Sequence, residues 1–512
     1  IDQRRDNAVY VHGQYPPLDG SRFTSVNDTI EFRADDWNWL YAWYFDSVTV
    51  DSLLMQSPAD TATYQWGSID ANYVRVSNSR FLNLFGSALI VDARELAVDS
   101  SEFTGCAVCD WLDAVAIETG SFMDSGPRVS VTNSSFYNLE WAYYNTYSSD
   151  SVGYAEFVGN TLDSVSTGIR FRADSSYVAD NVMAAIRSYG IYAEQSFSNR
   201  PPRRAIIERN SVTCSVQASY TAYGIRTNAI APTIDTNAVR DCDYGIYSYY
   251  STSYPLDSLL VRGDTVLMPA DGSGQYGIYM YGRFGHSRLA RNTVRRGTTG
   301  IYLVPDVVTG DADTVFVRLD TNAVSQTTSQ AVYLYPYDVA AIEGVRNNIS
   351  GNANYGLRNT GSGTRSFTLG RFRNNGDYSV YSTAAFDATQ NWWGEAAGPG
   401  GFYGTGSTLA DSVYSSAVVW DPALTADPTD VPSLSPPSVA SGAAPTAVVA
   451  GTSEPPAAPA DPNGRLQQQR RAEHERRVSA MEAVKQAEWE QFMALLERIR
   501  AERHARGDGG NR

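Results

Sequence analysis

Tyr244-Gly245-Ile246-Tyr247 is a cell that returns through the middle of the chain. Gly168-Ile169, Gly190-Ile191, Gly224-Ile225, Gly277-Ile278, Gly300-Ile301 and Gly356-Leu357 repeat it, and Ala331-Val332 and Ser379-Val380 are worn copies. Successive cells are 22, 34, 21, 32, 23, 31, 25 and 23 residues apart. A helical repeat of fixed length does not tolerate such variation. A coil of short strands does, because extra residues leave at a corner. Upstream of each cell stands an Asn or Asp: Asn160, Asn181, Asn210, Asn237, Asp264, Asn292, Asn322 and Asn348. From this mark to the Gly the chain runs 8 or 9 residues, but 14 after Asn210 and 13 after Asp264, which predicts that the insertions share one corner.

Around each cell the alternation has period two. Ile278 and Met280 alternate with Gly277 and Tyr279, and Ile301 and Leu303 with Gly300 and Tyr302. That is strand periodicity. So short a strand cannot bury its apolar face alone, whereas copies stacked about 4.8 Å apart build a continuous core. The expected fold is all-β, a parallel β-helix solenoid of roughly a dozen coils.

The pattern over roughly residues 70–400 resembles the right-handed parallel β-helix proteins of pectin-lyase-like architecture. Asn391-Trp392-Trp393-Gly394 with Gly398-Pro399 is similar to the closing motif of secreted bacterial β-helix repeat proteins, and Val419-Trp420-Asp421-Pro422-Ala423-Leu424 to their usual end. The resemblance implies a fold; because that fold hosts lyases, hydrolases, epimerases, adhesins and inert stalks, it implies no single activity.

The expected organisation is an N-terminal cap with the first coils over 1–70, the β-helix over 71–430, a disordered linker over 431–463 and an amphipathic helix over 464–512. The aromatic run 35–45 reads as the cap that a solenoid end needs, or as a sugar-stacking platform. The linker carries Pro432, Pro436, Pro437, Pro445, Pro455, Pro456, Pro459 and Pro462 among Ala, Ser and Val. In the last segment Val478, Met481, Val484, Trp489, Phe492, Met493, Leu496 and Ile499 form an apolar stripe. A lone amphipathic helix needs a partner for that stripe: another copy, the acidic solenoid or another protein.

The formal charge of −16 disfavours nucleic-acid binding. No run of 18 apolar residues predicts a transmembrane helix. The sequence begins at Ile1, which reads as a secretion signal already removed and an extracellular or cell-surface location. Cys106 and Cys109 allow a local disulfide, a redox pair or half a metal knuckle. Cys214 and Cys242 lie at similar depths in consecutive coils, so they are either a rung-to-rung disulfide or two buried thiols.

Stacking the cells lines up Arg170, Tyr192, Arg226, Tyr247, Tyr279, Tyr302, Tyr333, Arg358 and Tyr381 on the side away from the core. This ladder either stabilises its sheet or binds a long acidic polysaccharide by ring stacking and guanidinium contacts. A second line, Tyr189, Tyr223, Tyr244, Tyr276, Tyr355 and Tyr378, is expected at a corner or just inside it. The Asn marks predict a hydrogen-bonded ladder at a turn.

Catalytic signatures are missing. A polygalacturonase-like enzyme would carry Asn-Thr-Asp, Asp-Asp, Gly-His-Gly and Arg-Ile-Lys in order; Asp35-Asp36 comes too early, and Gly285-His286-Ser287 departs from the His motif. His12, His286, His474 and His504 are the only histidines. Asp241, Asp243, Asp264 and Asp271 leave room for a carboxylate pair formed across coils. No cofactor is expected apart from calcium, for which Asp306, Asp311 and Asp313 are the candidates. The sequence therefore favours a non-catalytic carbohydrate-binding or structural protein, with a polysaccharide lyase or glycoside hydrolase, or a subunit assembling through its terminal helix, as the alternatives.

Overall fold

A computed structural model describes the backbone of residues 2–4, 8–12, 22–26, 29–31 and 38–432. Excepted within the last span are 57–63, 107–113, 120–127, 146–151, 195–203, 216–220, 230, 250–258, 283–285, 306–315, 336–340, 362, 402–403, 405 and 407–410. It is a parallel β-solenoid of about ten turns. Each regular turn contributes one strand to each of three stacks, and each strand pairs in parallel with its counterpart one turn later. Tyr244–Tyr249 pairs with Tyr276–Gly282, Leu260–Arg262 with His286–Ala290, and Thr265–Leu267 with Thr293–Arg295.

The Gly-Ile cells share one stack in strict register. Ile169, Ile191, Ile225, Ile246, Ile278, Ile301, Val332, Leu357 and Val380 form a single buried column. The cell needs glycine because the third stack crowds against it. A Cβ on Gly245 would lie 2.3 Å from Val266 Cγ1 and 2.5 Å from the Gly277 carbonyl oxygen. Val266 belongs to an inner column that also holds Val212, Val239, Val294, Val324 and Ile349. Towards both ends of the solenoid this column turns aromatic. Phe81, Phe103 and Phe136 stack at 4.8 and 5.2 Å near the N-terminal end, and Trp393 lies 5.1 Å from Phe372 at the other. The second Trp of Asn391-Trp392-Trp393-Gly394 is thus a fully buried plug over the last coil.

The Asn marks form the predicted ladder, with one shift. Asn160, Asn181, Asn210, Asn237, Asp264, Asn292, Asn322 and Asn347 follow one another in the interior. Asn347, not Asn348, is the member; the Asn348 amide donates to the Pro432 carbonyl instead, at 2.9 Å. Ser79, Ser101 and Ser134 continue the line towards the N-terminus with hydroxyls in place of amides. The residue before each ladder position is left-handed, φ +49° to +69° from Asn133 through Arg346. For non-glycine residues such as Thr236 and Arg291 that conformation costs about 1 kcal/mol, and the buried hydrogen bonds of the ladder offset it.

Three other expectations change. Asn38–Asp51, which holds most of the aromatic run, is no cap: it pairs in parallel with Ala8–His12 and Arg22–Val26 on one side and Tyr64–Ser77 on the other. Insertions occupy two corners, not one. The longer intervals follow the Gly-Ile strands, as between Tyr249 and Leu260 or Pro305 and Phe316; the expected corner holds the turn 268–275 and shorter intervals. The ordered chain also runs past 430. Asp427 pairs with Arg371 and Asp430 with Arg346, both at 2.6 Å, and Val431 is buried.

Cys214 and Cys242 are joined by a disulfide across adjacent coils, Cα–Cα 4.9 Å. Cys106 is disulfide-bonded as well, whereas Cys109 lies outside the described residues. The Cys214–Cys242 bridge closes a loop of sequence separation 28. Replacing both cysteines by alanine is expected to cost about 3 kcal/mol, read as a lower urea midpoint under non-reducing conditions. An unchanged midpoint would show that the bridge adds nothing to the packed coils. Residues 440–512 form a separate unit outside the described residues. Val478, Met481, Val484, Trp489, Phe492, Met493, Leu496 and Ile499 fall there.

Candidate functional site

Strand alternation turns the residue after each Ile outwards. The resulting column runs Tyr192, Arg226, Tyr247, Tyr279, Tyr302, Tyr333, Arg358, Tyr381 and on to Tyr414. The rings lie face to face along the solenoid axis except between Tyr279 and Tyr302, which meet edge-on at 5.2 Å and 76°. Tyr247 and Tyr279 stack at 4.8 Å and 4°, Tyr302 and Tyr333 at 4.9 Å and 3°, and Tyr381 and Tyr414 at 4.6 Å and 12°. The arginines are inserted into the same stack. The Arg226 guanidinium is 4.6 Å from the Tyr192 ring and 5.5 Å from Tyr247; that of Arg358 is 5.0 Å from Tyr333 and 5.9 Å from Tyr381.

The line before each Gly also faces outwards, half-exposed, rather than into the corner. Tyr189, Tyr223 and Tyr244 stack at 5.2 and 4.7 Å. Tyr244 meets Tyr247 edge-on at 5.3 Å, so the two lines make one aromatic face. Tyr249 and Tyr281, stacked at 5.1 Å, extend it towards the next corner.

This geometry gives no support to polysaccharide binding by ring stacking on the column. A pyranose packs on an exposed aromatic face, and here neighbouring rings and guanidinium groups cover much of the ring faces. At the foot of the column Tyr192 is only 6% exposed. What the face offers is ring edges and hydroxyls. Those of Tyr247, Tyr279, Tyr302 and Tyr381 have no hydrogen-bond partner among the described residues. Burial pushes the Tyr244 and Tyr247 phenols up to about 12, and raises Tyr279 and Tyr302 as well, with neighbouring tyrosines adding to the effect. The phenols therefore stay protonated and able to donate.

Charge is distributed unevenly on this face. Arg170 is held by Glu194, 2.7 and 3.0 Å from its Nε and Nη2. Arg226 donates only to the Tyr189 hydroxyl, at 3.0 Å, and Arg358 makes no hydrogen bond among the described residues. Neither has a carboxylate partner among the described residues, where both Nε atoms are buried and unpaired.

Among the described residues, the acid–base candidates of the sequence do not converge elsewhere. Asp264 is a member of the interior ladder, Asp243 accepts from the Ala222 amide at 2.8 Å, and Asp271 caps its own turn at Ser273. Asp241 occupies a left-handed corner, φ +54°. His286 is exposed at a strand start. Asp306, Asp311 and Asp313 lie outside the described residues. A second polar ladder escaped the sequence reading: Thr327, Asn352 and Asn375, closed by Asp411, whose carboxylate accepts from the Asn374 and Asn375 amides at 2.7 Å. Its signal was present, because Thr327, Asn352 and Asn375 each follow a main-ladder position (322, 347, 370) by five residues.

With the solenoid and its outer face laid out, the comparison with protein families can be placed on it. Residues 83–256 match the NosD family, described as periplasmic copper-binding protein. The match covers about a third of the chain and takes in the coils from Phe103 to Tyr249. No curated protein and no solved structure matches the chain significantly.

Imidazole, thiolate and thioether are the side-chain donors that favour copper, and the described coils do not supply them together. Cys106, Cys214 and Cys242 are oxidised in disulfides. Met55, Met183, Met268 and Met280 are buried in the core. Among the described residues no three His, Cys, Asp or Glu side chains gather to hold a metal ion. The NosD-like coils shown here therefore do not fit a copper site.

Proposed function

We propose that this chain is a non-catalytic β-helix scaffold of the NosD type, working outside the cytoplasm in the periplasm and serving assembly through its outer face rather than by holding copper in its coils. The observation that carries this reading is the face itself. It is a strip of tyrosines, with two arginines that have no carboxylate partner among the described residues, along the Gly-Ile sheet. The family match supports the NosD type and the location. The disulfides fit an oxidising compartment. Tyr and Arg are the residues that concentrate binding energy in protein interfaces, which suits assembly better than catalysis.

Two measurements on the purified full chain test this. Titration with copper in either oxidation state, followed by gel filtration and metal analysis, is expected to leave no stoichiometric copper on the protein; a full equivalent retained would sink the scaffold reading and point to histidines or methionines outside the described coils. Incubation with polygalacturonate, alginate and neutral glucans, with and without calcium, is expected to release neither reducing ends nor unsaturated products. Turnover on any of them overturns the non-catalytic reading.

A further inference from the structure

The tyrosine and arginine face has a donor surplus. Four phenol hydroxyls, on Tyr247, Tyr279, Tyr302 and Tyr381, and the guanidinium groups of Arg226 and Arg358 stand on one strip with no acceptor among the described residues apart from the Tyr189 hydroxyl, which takes one bond from Arg226. Other arginines on the solenoid wall, such as Arg209, Arg262, Arg288, Arg346 and Arg371, face a carboxylate. In a chain of net charge −16, Arg226 and Arg358 are two cations on one face that bond no carboxylate among the described residues.

We propose that this strip docks an extended, carboxylate-bearing segment of a partner protein, with Arg226 and Arg358 as the two charge anchors and, as hydrogen-bond donors, the hydroxyls of Tyr247, Tyr279 and Tyr302 between them and that of Tyr381 one turn beyond Arg358. This rests on the scaffold reading and names the partner's chemistry. The register supports it. Arg226 and Arg358 are five turns apart in one column, or about 24 Å at the parallel-strand spacing. An extended peptide covers that distance in roughly seven residues. Guanidinium groups already flattened between rings lose little freedom on binding a carboxylate, and their planar fork suits it. Phenols that stay protonated donate to the same acceptors. A polysaccharide is less well served, because the rings offer few free faces for stacking.

The test uses the full chain and a labelled, capped peptide of alternating Glu and Thr long enough to reach both arginines, read by fluorescence anisotropy at low salt. An alternating Lys-Thr peptide and polygalacturonate are run alongside. One variant is Arg226→Gln with Arg358→Gln. The other is Tyr247→Phe, Tyr279→Phe, Tyr302→Phe and Tyr381→Phe, which removes the hydroxyls and keeps the ring stack, so it is expected to fold. The Glu-Thr peptide is expected to bind, and each variant to weaken it by roughly tenfold or more, with no binding of the Lys-Thr peptide. Absence of peptide binding, unchanged affinity in the Tyr→Phe variant, or binding of polygalacturonate in preference to the peptide each overturns the proposal. Self-association of the wild type that the variants abolish does so too, because the occupant is then a second copy. None of these outcomes depends on copper uptake or turnover, so the docking proposal and the scaffold reading fail separately.

Discussion

Asn210→Ala is expected to destabilise the solenoid by roughly 3–6 kcal/mol, the largest loss among single truncations in the ladder. Its amide works in both directions along the stack. Oδ1 accepts from the Asn181 backbone N at 3.1 Å and from the Asn181 amide at 2.8 Å. Nδ2 donates to the carbonyls of Val178 and Glu208 and to Asn237 Oδ1, at 2.9–3.0 Å. Truncation leaves a buried backbone N–H and a buried carbonyl without partners, each costing about 1–3 kcal/mol, and opens a void in a core with no room to collapse. A solenoid holds each turn through its neighbours, so the damage falls between the turns of Asn181 and Asn237. Urea unfolding followed by tyrosine fluorescence checks this. The expected result is a lower midpoint, or a transition split into two where the stack is cut. A midpoint within error of the wild type would mean that the ladder is decoration on a core that packs without it.

How much of this was legible in the sequence depends on whether a feature is set by one turn or by several. The Gly-Ile cell is local: glycine is required where Val266 and the next turn's carbonyl leave no room at Gly245, and the alternation around it fixes which residues face out. The solenoid and its outer column followed from that. The shift from Asn348 to Asn347 was not readable, since Asn347-Asn348 offers two candidates and only the register with Asn322 decides between them. The aromatic run 35–45 looked like a cap because density of rings says nothing about whether both edges of a strand are paired. How the rings of the outer column meet is of the same kind. Period two places Tyr247 and Tyr279 on one face, but whether their ring planes lie open or press on each other is a matter of rotamers across turns, and the 4.8 Å rise favours stacking. That Arg226 and Arg358 have no carboxylate partner among the described residues, on which the docking proposal stands, is visible only from the structure.

Asp264 is the one acid in the main ladder, and it turns the ladder into a source of pH dependence. Its Oδ1 does what the Asn oxygens do, accepting from the Asn237 backbone N at 2.7 Å and from the Asn237 amide at 2.9 Å. Its Oδ2 is buried and has no partner. In the neighbouring turn the corresponding atom is the Asn237 nitrogen, which donates to the Ile207 carbonyl and to the next ladder oxygen. By register the Asp264 Oδ2 faces the equivalent pair, the Ile234 carbonyl and Asn292 Oδ1, both acceptors. A carboxylate cannot satisfy them; a carboxylic acid can satisfy one. Burial accordingly pushes the Asp264 carboxyl from 3.8 up to about 7, with the charge of Asp235 acting in the same direction. The folded chain thus holds a proton that the unfolded chain releases near pH 4. Its contribution to stability is complete below pH 4, is lost as pH rises from about 4 to about 7, and is then exhausted, a span worth roughly 4 kcal/mol. Asp264→Asn restores the missing donor and removes the titration. The variant is expected to be more stable than the wild type by a margin that widens by roughly 4 kcal/mol between pH 4 and pH 8 and stays flat above. Comparing the two proteins at each pH isolates this term from the surface carboxylates Asp51 and Asp99, whose hydrogen bonds hold them below the ordinary range and which act with the opposite sign at the acid end. Urea midpoints at half-unit steps of pH give the margin directly. A margin that does not change with pH would place the proton elsewhere, and one that narrows as pH rises would show that Asp264 is ionised in the fold and that its Oδ2 finds a donor.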